Sequence, residues 1–379
     1  MLEESAFDAD AILKGIEGWA AVESPSNHVA GVNAMMDLAE KSLGELGARL
    51  ERLPGLDDLG DVVLGRIADK DGKAGPGILV LSHLDTVHVV GTLKERLPIR
   101  RDGDKVYGPG ILDMKGGARL GLEAMGTLQR QGIRTTLPVT FMFTSDEEIG
   151  SPSTRDRIEE EAKKHKYILV PEPLRPWGDV VVGRHAIQRF WVRTYGAPSH
   201  AGLTKAQGRS AIACMAGLVS EIEAMTDYDR GTTYSVGTVH GGTFVNVVAI
   251  KCEAQVLCVA PSNELLEEVR ANMHALAGER DGVRVEIEQG VVRPVAPPHE
   301  KTIALYEKAK ALAQEIGIDF GRCLSGGGSD GNFTGALGLA TLDGLGVAGA
   351  GAHTFEEHLL VSSLVPRARL LAGLLETLE

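Results

Sequence analysis

Cysteine is scarce in this chain: four in 379 residues, at Cys214, Cys252, Cys258 and Cys323. None stands in a Cys-x-x-Cys pair, which argues against a cysteine zinc knuckle. A disulfide framework belongs to shorter, cysteine-dense chains. The four are therefore expected to act as small buried hydrophobes. Positive charge is also in deficit. Lys and Arg number 39 against 52 Asp and Glu, a formal net charge of -13. Such a balance opposes binding to nucleic acid or to anionic lipid. No stretch approaches the roughly 18 apolar residues needed to span a bilayer. The opening residues, MLEESAFDADAILKGIEGWAAV, carry acids where a secretory leader has a basic segment. A cytoplasmic protein is expected.

A chain this long exceeds one ordinary core and suggests two domains. Amphipathic helices are expected at about 8–22 and 28–48, and strands at 61–69 and 78–82. A helix at 115–131, a strand at 138–144, a helix at 154–164 and a strand at 167–171 follow. This alternation, with near-continuous apolar strands, predicts an α/β domain with a largely parallel sheet. The pattern changes near 184. A strand (186–195), a helix (about 208–225), two strands (about 232–240 and 248–259), a helix (about 262–278) and a strand (283–289) succeed one another. That is the β-α-β-β-α-β, ferredoxin-like order. Residues 294–298 read as a linker, and helices at 300–316 and 361–378 resume the first pattern. The expected layout is an α/β domain of residues 1–184 and 298–379, with an α+β domain of residues 185–297 inserted in it.

Three predicted strands run into metal-ligating side chains. ILVLS leads to His83 and Asp85, PVTFMFT to Glu147 and Glu148, and YILVP to Glu172. Ligands of open α/β sheets collect at the carboxyl ends of strands, so these residues should converge. Asp113 precedes a helix, whose positive end suits a carboxylate. His353 sits in a glycine-rich loop near the C-terminus. Singly, each has a plainer role: a turn residue, a helix cap or a solvated acid. Together, oxygen and nitrogen donors from separate segments suit zinc or another divalent first-row ion. Asp85, two residues after His83, can accept the imidazole hydrogen bond that fixes the ring. Glu147 and Glu148 point apart in extended chain. One can bind metal while the other serves as base toward an activated water.

These motifs are familiar. SHLDTV, YGPGILDMKGG, SDEEIGS, the glutamate of LVPEP, SHAG and the late His353 occur in one order. The sequence resembles the metallopeptidase family of glutamate carboxypeptidase, acetylornithine deacetylase, succinyl-diaminopimelate desuccinylase, aminoacylase and peptidase T, over nearly the whole chain. The resemblance implies that His83, Asp113 and Glu172 bind one divalent ion. It implies that Asp113 bridges to a second, completed by Glu148 and His353. Zinc is the first expectation, with manganese or cobalt as alternatives. Glu147 is then the general base and Asp85 the support of His83. The inserted domain is then a lid and dimerisation domain, giving a homodimer. His200, in SHAG, helps stabilise the oxyanion across that dimer. The same resemblance implies that Asn246 points at substrate and that Gly327, Gly328 and Ser329 contact substrate backbone or carboxylate.

One departure concerns recognition. Many relatives carry Asp-x-Arg on the lid strand, where the arginine clamps a substrate carboxylate. Here the stretch reads Leu257-Cys258-Val259. Arg184 or His185 is a candidate replacement, with a hinge role as the plainer alternative. His88 and His240 are unassigned and expected to be structural. The leading expectation is hydrolysis of a C–N bond in a small amide, dipeptide or N-acyl amine. A second is release of ammonia or an amine from an aromatic or ureido compound. A non-catalytic binding protein would lack Glu147 or a ligand, and neither is missing.

Overall fold

A computed structural model describes residues 1–72, 75–176 and 178–379. The chain divides into two compact units. The first comprises Met1–Gly183, Ala296–Leu324 and Ser329–Glu379, and the second Arg184–Val295 with Ser325–Gly328.

In chain order the strands of the first half are β1 (Arg49–Leu53), β2 (Val62–Ile67), β3 (Ile78–His83), β4 (Arg100–Asp102), β5 (Lys105–Tyr107), β6 (Val139–Thr144), β7 (Tyr167–Val170) and β8 (Val180–Arg184). They continue as β9 (Ala186–Tyr195), β10 (Thr233–Gly241), β11 (Lys251–Ala260), β12 (Gly278–Arg280), β13 (Val283–Arg293), β14 (Arg322–Ser325), β15 (Ala340–Asp343), β16 (Gly349–Ala350) and β17 (His358–Leu360). The helices are α1 (Ala9–Ala20), α2 (Val29–Glu45), α3 (Thr92–Glu95), α4 (Lys115–Arg130), α5 (Arg155–Ala162), α6 (Ala211–Glu223), α7 (Asn263–His274), α8 (Glu300–Glu315), α9 (Gly331–Ala336) and α10 (Leu364–Thr377).

The main sheet has eight strands in the order β1-β2-β6-β3-β7-β15-β8-β14. It is mixed, which corrects the expectation of a largely parallel sheet. β6, β3, β7 and β15 run parallel to one another. β1 and β2 on one side, and β8 on the other, pair antiparallel. The physical reason is local. The short link from β1 to β2 is enough for an antiparallel partner, whereas a parallel one needs a crossover of about a dozen residues or more. Apolar strand composition reports burial on both faces, not direction. Every residue of β3 and β6 is buried, as their apolar runs require.

Local sequence explains the flanking helices. Asp8 caps α1, its carboxylate accepting the N–H groups of Asp10 and Ala11 at 3.0 and 3.1 Å. Ile12, Leu13, Ile16, Trp19 and Ala20 form the buried stripe of α1. Helix α4 passes close to the end of β7 because Gly117 lacks a side chain. A Cβ there would lie 1.8 Å from the Pro171 carbonyl oxygen. This close approach brings the start of α4, and Asp113 just before it, beside Glu172.

The second unit runs β9, α6, β10, β11, α7, β12, β13, with sheet order β10-β11-β9-β13-β12 and antiparallel pairing throughout. Buried and half-buried residues alternate strictly along β9, so one face of the sheet packs on α6 and α7. Ser210 and Ser262 cap these helices. Among the described residues, no helix is long and apolar enough to cross a membrane.

Candidate metal centre

Strands β6, β3 and β7 are neighbours and parallel, so their carboxyl ends open at one edge of the sheet. His83 ends β3 and pairs in register with Thr144, the last residue of β6. Glu147 and Glu148 follow in a short 3-10 turn. Glu172 follows β7, and the loop before α4 supplies Asp113.

The distances bring these side chains together. His83 Nε2 lies 3.3 Å from Asp113 Oδ1, 3.6 Å from Glu172 Oε1 and 3.9 Å from Glu147 Oε2. His353 Nε2 lies 3.3 Å from Asp113 Oδ2 and 3.2 Å from Glu148 Oε2. Asp113 thus stands between the two imidazoles, one oxygen toward each. Donor atoms of His83, Asp113 and Glu148 all lie within 4.8 Å of one another, a spacing that could hold a metal ion. His353 adopts a φ of +64°, which turns its ring out of an exposed loop toward the acids.

The test of fit is His83 Nε2. It is buried and has no hydrogen-bond partner among the described residues, although three carboxylates face it. An orphaned buried nitrogen costs free energy, and a divalent ion placed among the carboxylates would satisfy it. The other ring nitrogen is held: Nδ1 lies 3.0 Å from the Asp85 carbonyl oxygen and 3.4 Å from Asp85 Oδ1. Fixing Nδ1 in this way leaves Nε2 as the nitrogen that faces the carboxylates.

The electrostatics agree. Burial opposes charge on His83, but the adjacent carboxylates of Asp113 and Asp85 and the fields of Glu147 and Glu172 raise its pKa. Hydrogen bonds to Asp113 and Glu148 raise His353 to about 11. Burial, reinforced by the Asp113 charge, pushes Glu148 up to about 8. Burial raises Glu172 too, with Asp113 adding to it. Burial also works against the Asp113 charge, yet the two imidazoles hold its pKa below the usual carboxylate range. A divalent ion among these carboxylates would neutralise the negative charge gathered here.

Asp85 carries more than its expected part. Fully buried, its Oδ1 accepts the Glu147 N–H at 3.1 Å, and Oδ2 accepts the Glu148 N–H at 3.1 Å and the Ser26 hydroxyl at 2.5 Å. It supports His83 chiefly through its carbonyl and the acidic turn through its carboxylate. Ser26 has no signal in the sequence. Glu357 is a second residue that sequence reasoning missed, and His88 pairs with it at 2.6 Å. A buried carboxylate in a run of two glutamates looks like surface charge.

The remaining candidates lie elsewhere in the chain. His200 and Asn246 are neighbours within the second unit. His200 bridges Val247, and the Asn246 carbonyl accepts the Ala201 N–H at 3.0 Å. Both are exposed, and His200 Nδ1 accepts the N–H groups of Gly202 and Leu203 at 3.2 and 3.3 Å. Arg184 is buried, and its Nη1 donates to the carbonyls of Gly327 and Gly328 at 2.7 and 2.8 Å. His185 donates its N–H to the Ser325 carbonyl at 2.9 Å, and burial lowers its ring pKa. Ser329, in the first unit, is buried and donates to Asp343 Oδ2 at 2.6 Å. His240 lies exposed on β10. Leu257 and Val259 share the half-buried face of β11, opposite Arg189 and Ile187 of β9, while Cys258 turns into the core.

Comparison with known proteins places this geometry. Residues 79–377 match the peptidase family M20/M25/M40. The chain is 28% identical to carboxypeptidase G2 of Pseudomonas sp. (strain RS-16), over 98% of this chain and 90% of that protein. It is 26% identical to succinyl-diaminopimelate desuccinylase of Acinetobacter baumannii (strain AYE), over 81% of this chain and 85% of that one. In fold it is similar to an M20 family metallo-carboxypeptidase from Sulfolobus solfataricus, with a TM-score of 0.77 at 16% identity, covering 99% of both chains. The chain belongs to peptidase family M20/M25/M40 and is a metal-dependent hydrolase of amide or peptide C–N bonds.

Proposed function

We propose that His83, Asp113 and Glu172 hold one divalent ion, that Asp113 shares a second with Glu148 and His353, and that Glu147 is the general base. The observation that carries this reading is the buried, unpartnered His83 Nε2 facing three carboxylates. Mixed imidazole and carboxylate donors suit zinc first, then manganese or cobalt. Such an ion supplies Lewis acidity toward the scissile carbonyl and an acidified water.

The chain's own residues do the rest. Asp85 holds the Glu147–Glu148 turn by its two backbone N–H groups, so the Glu147 carboxylate is aimed before substrate arrives. Glu147 takes a proton from the attacking water as the new C–O bond forms. It returns that proton to the nitrogen as the C–N bond breaks, giving a carboxylic acid and an amine. The second unit serves as lid and dimerisation domain, His200 and Asn246 reaching the substrate of the partner protomer. Support for the dimer comes from β10, an edge strand. Val239, Phe244, Val245 and Ile250, on it and on the loop beyond it, are each 47% or more exposed.

The substrate is a small amide, dipeptide or N-acyl amine. Leu257 and Val259 favour one whose recognition does not depend on a clamped carboxylate. The same two residues keep open a second reading, removal of ammonia or an amine from an aromatic or ureido compound. Glu147→Gln tests the centre. Turnover should fall by a factor of about 100 or more with metal content unchanged, and full activity in this variant would overturn the assignment.

A further inference from the structure

The loops that carry Asp113 and His353 meet at one buried carboxylate. Glu357 is 1% exposed. Its Oε1 accepts the backbone N–H groups of Leu112 at 2.9 Å and of Asp113 at 3.1 Å. Its Oε2 accepts the Gly110 N–H at 3.0 Å and pairs with His88 Nε2 at 2.6 Å. A carboxylate offers about four acceptor sites, and these four donors fill them. The His88 ring is itself buried, so the pair is shielded from exchange with water.

Glu357 also ends the turn that presents His353. Within that turn the Thr354 N–H donates to the Gly351 carbonyl at 3.0 Å, and Gly351 and His353 both have positive φ. The Glu357 carbonyl accepts the Gly108 N–H at 3.4 Å. One residue therefore ties the 108–113 loop to the 351–357 loop through its side chain and its backbone. Asp113 reaches His83 with one oxygen and His353 with the other, at 3.3 Å each. A small shift of the Asp113 backbone would spoil both contacts together.

We infer that Glu357, held by His88, is a positioning residue that sets Asp113 and His353 at the spacing needed to share an ion. Neither Glu357 nor His88 touches the reacting atoms in this arrangement. The inference rests on the metal reading given above. It also explains a histidine that directly follows the SHLDTV motif and has no place in the chemistry.

The test is cobalt titration of the metal-free full chain, read by calorimetry and by the d–d absorption of the bound ion. In Glu357→Gln one oxygen is replaced by a donor amide, so at least one backbone N–H or the His88 N–H loses its acceptor. The more weakly bound cobalt ion, or the sole one, should bind about tenfold or more weaker, with a shifted d–d spectrum. The kcat should fall with KM little changed, and excess cobalt should restore part of it. His88→Phe, which removes the donor, should move affinity and spectrum the same way. His88→Gln, which keeps a donor, should restore them. The two His88 variants carry the test if Glu357→Gln does not fold. A folded Glu357→Gln or His88→Phe that binds cobalt with unchanged affinity and spectrum, even at a lowered Tm, would overturn the inference. Unchanged cobalt binding in Asp113→Asn would overturn the metal reading instead, and the inference with it.

Discussion

Asp85 Oδ1 accepts the backbone N–H of Glu147 at 3.1 Å, while the Asp85 carbonyl faces the His83 ring at 3.0 Å. One buried residue thus holds both a candidate ligand and the candidate base. In Asp85→Asn the side chain keeps one acceptor oxygen and gains an amide donor. The Glu147 or Glu148 N–H is then left facing a donor, although the carbonyl support of His83 survives. Loss of such a support typically costs 10- to 100-fold in activity or metal affinity. We expect kcat to fall in that range with KM within about threefold, measured by steady-state kinetics on the metal-loaded protein. Retention of kcat would show that the turn holds Glu147 without Asp85.

Metal uptake should release protons. Hydrogen bonds from Asp113 and Glu148 raise His353 to about 11, and His83 is raised as well. A metal takes each imidazole only as the neutral base. At pH 7 binding must therefore displace protons, and affinity should rise as pH rises. Calorimetry in two buffers of different ionisation enthalpy should show this release, and a buffer-independent enthalpy would contradict it.

The metal-free protein should respond to pH in the opposite sense. A histidine whose folded pKa is raised stabilises the fold fully below about 6.5 and loses that contribution as pH rises through the folded value. Glu148, raised to about 8 mainly by burial, adds to the trend. Between its ordinary value and about 8 the folded state binds more protons than the unfolded one, so stability falls with pH. The Tm of chelator-treated protein should decline from pH 6 to pH 9, and added metal should remove most of that decline. A rising Tm without metal would show that other groups dominate.

Much of this organisation was legible in the sequence because it rests on periodicity and strand ends. The β9, α6, β10, β11, α7, β13 succession follows directly from alternation and helical spacing. His83, Glu147 and Glu172 announce themselves by ending apolar runs. What was not legible depends on partners distant in sequence. Asp85 and Glu147 are 62 residues apart, and His88 and Glu357 are 269 apart. No local pattern marks such pairs. Strand direction was lost for a similar reason, since β2 and β6 look alike in composition yet run antiparallel. The short strands β4, β5, β12, β16 and β17, of two or three residues each, leave no periodic trace.

The proposed homodimer makes a solution prediction. Phe244 and Val245 are 73% and 102% exposed, in a unit whose β10 edge is unpaired within the sheet. Replacing both by Asp should leave the Tm of the first unit's transition within a few degrees, because neither side chain is packed. By light scattering the mass should fall from two chains to one. If His200 and Asn246 serve the partner's site, activity should fall in parallel. A dimer that survives the double substitution would move the interface elsewhere.

Recognition is open to a gain-of-function experiment. Val259 stands where many relatives carry the arginine of Asp-x-Arg, on the half-buried face of β11 rather than in the core. An arginine there would extend from the half-buried face, on the opposite side of the strand from the core side chain of Cys258. If this position faces substrate, Val259→Arg should favour substrates bearing a free carboxylate beside the scissile bond. A hydrogen bond to a charged group contributes about 1.5–3 kcal/mol, which corresponds to about tenfold or more in kcat/KM. Matched pairs of N-acyl amino acids and their C-terminal amides would read the preference directly. The acid should gain relative to the amide mainly through KM, since the clamp binds ground state and transition state alike. Equal ratios in the variant and the parent would show that the substrate carboxylate, if there is one, is bound by other residues.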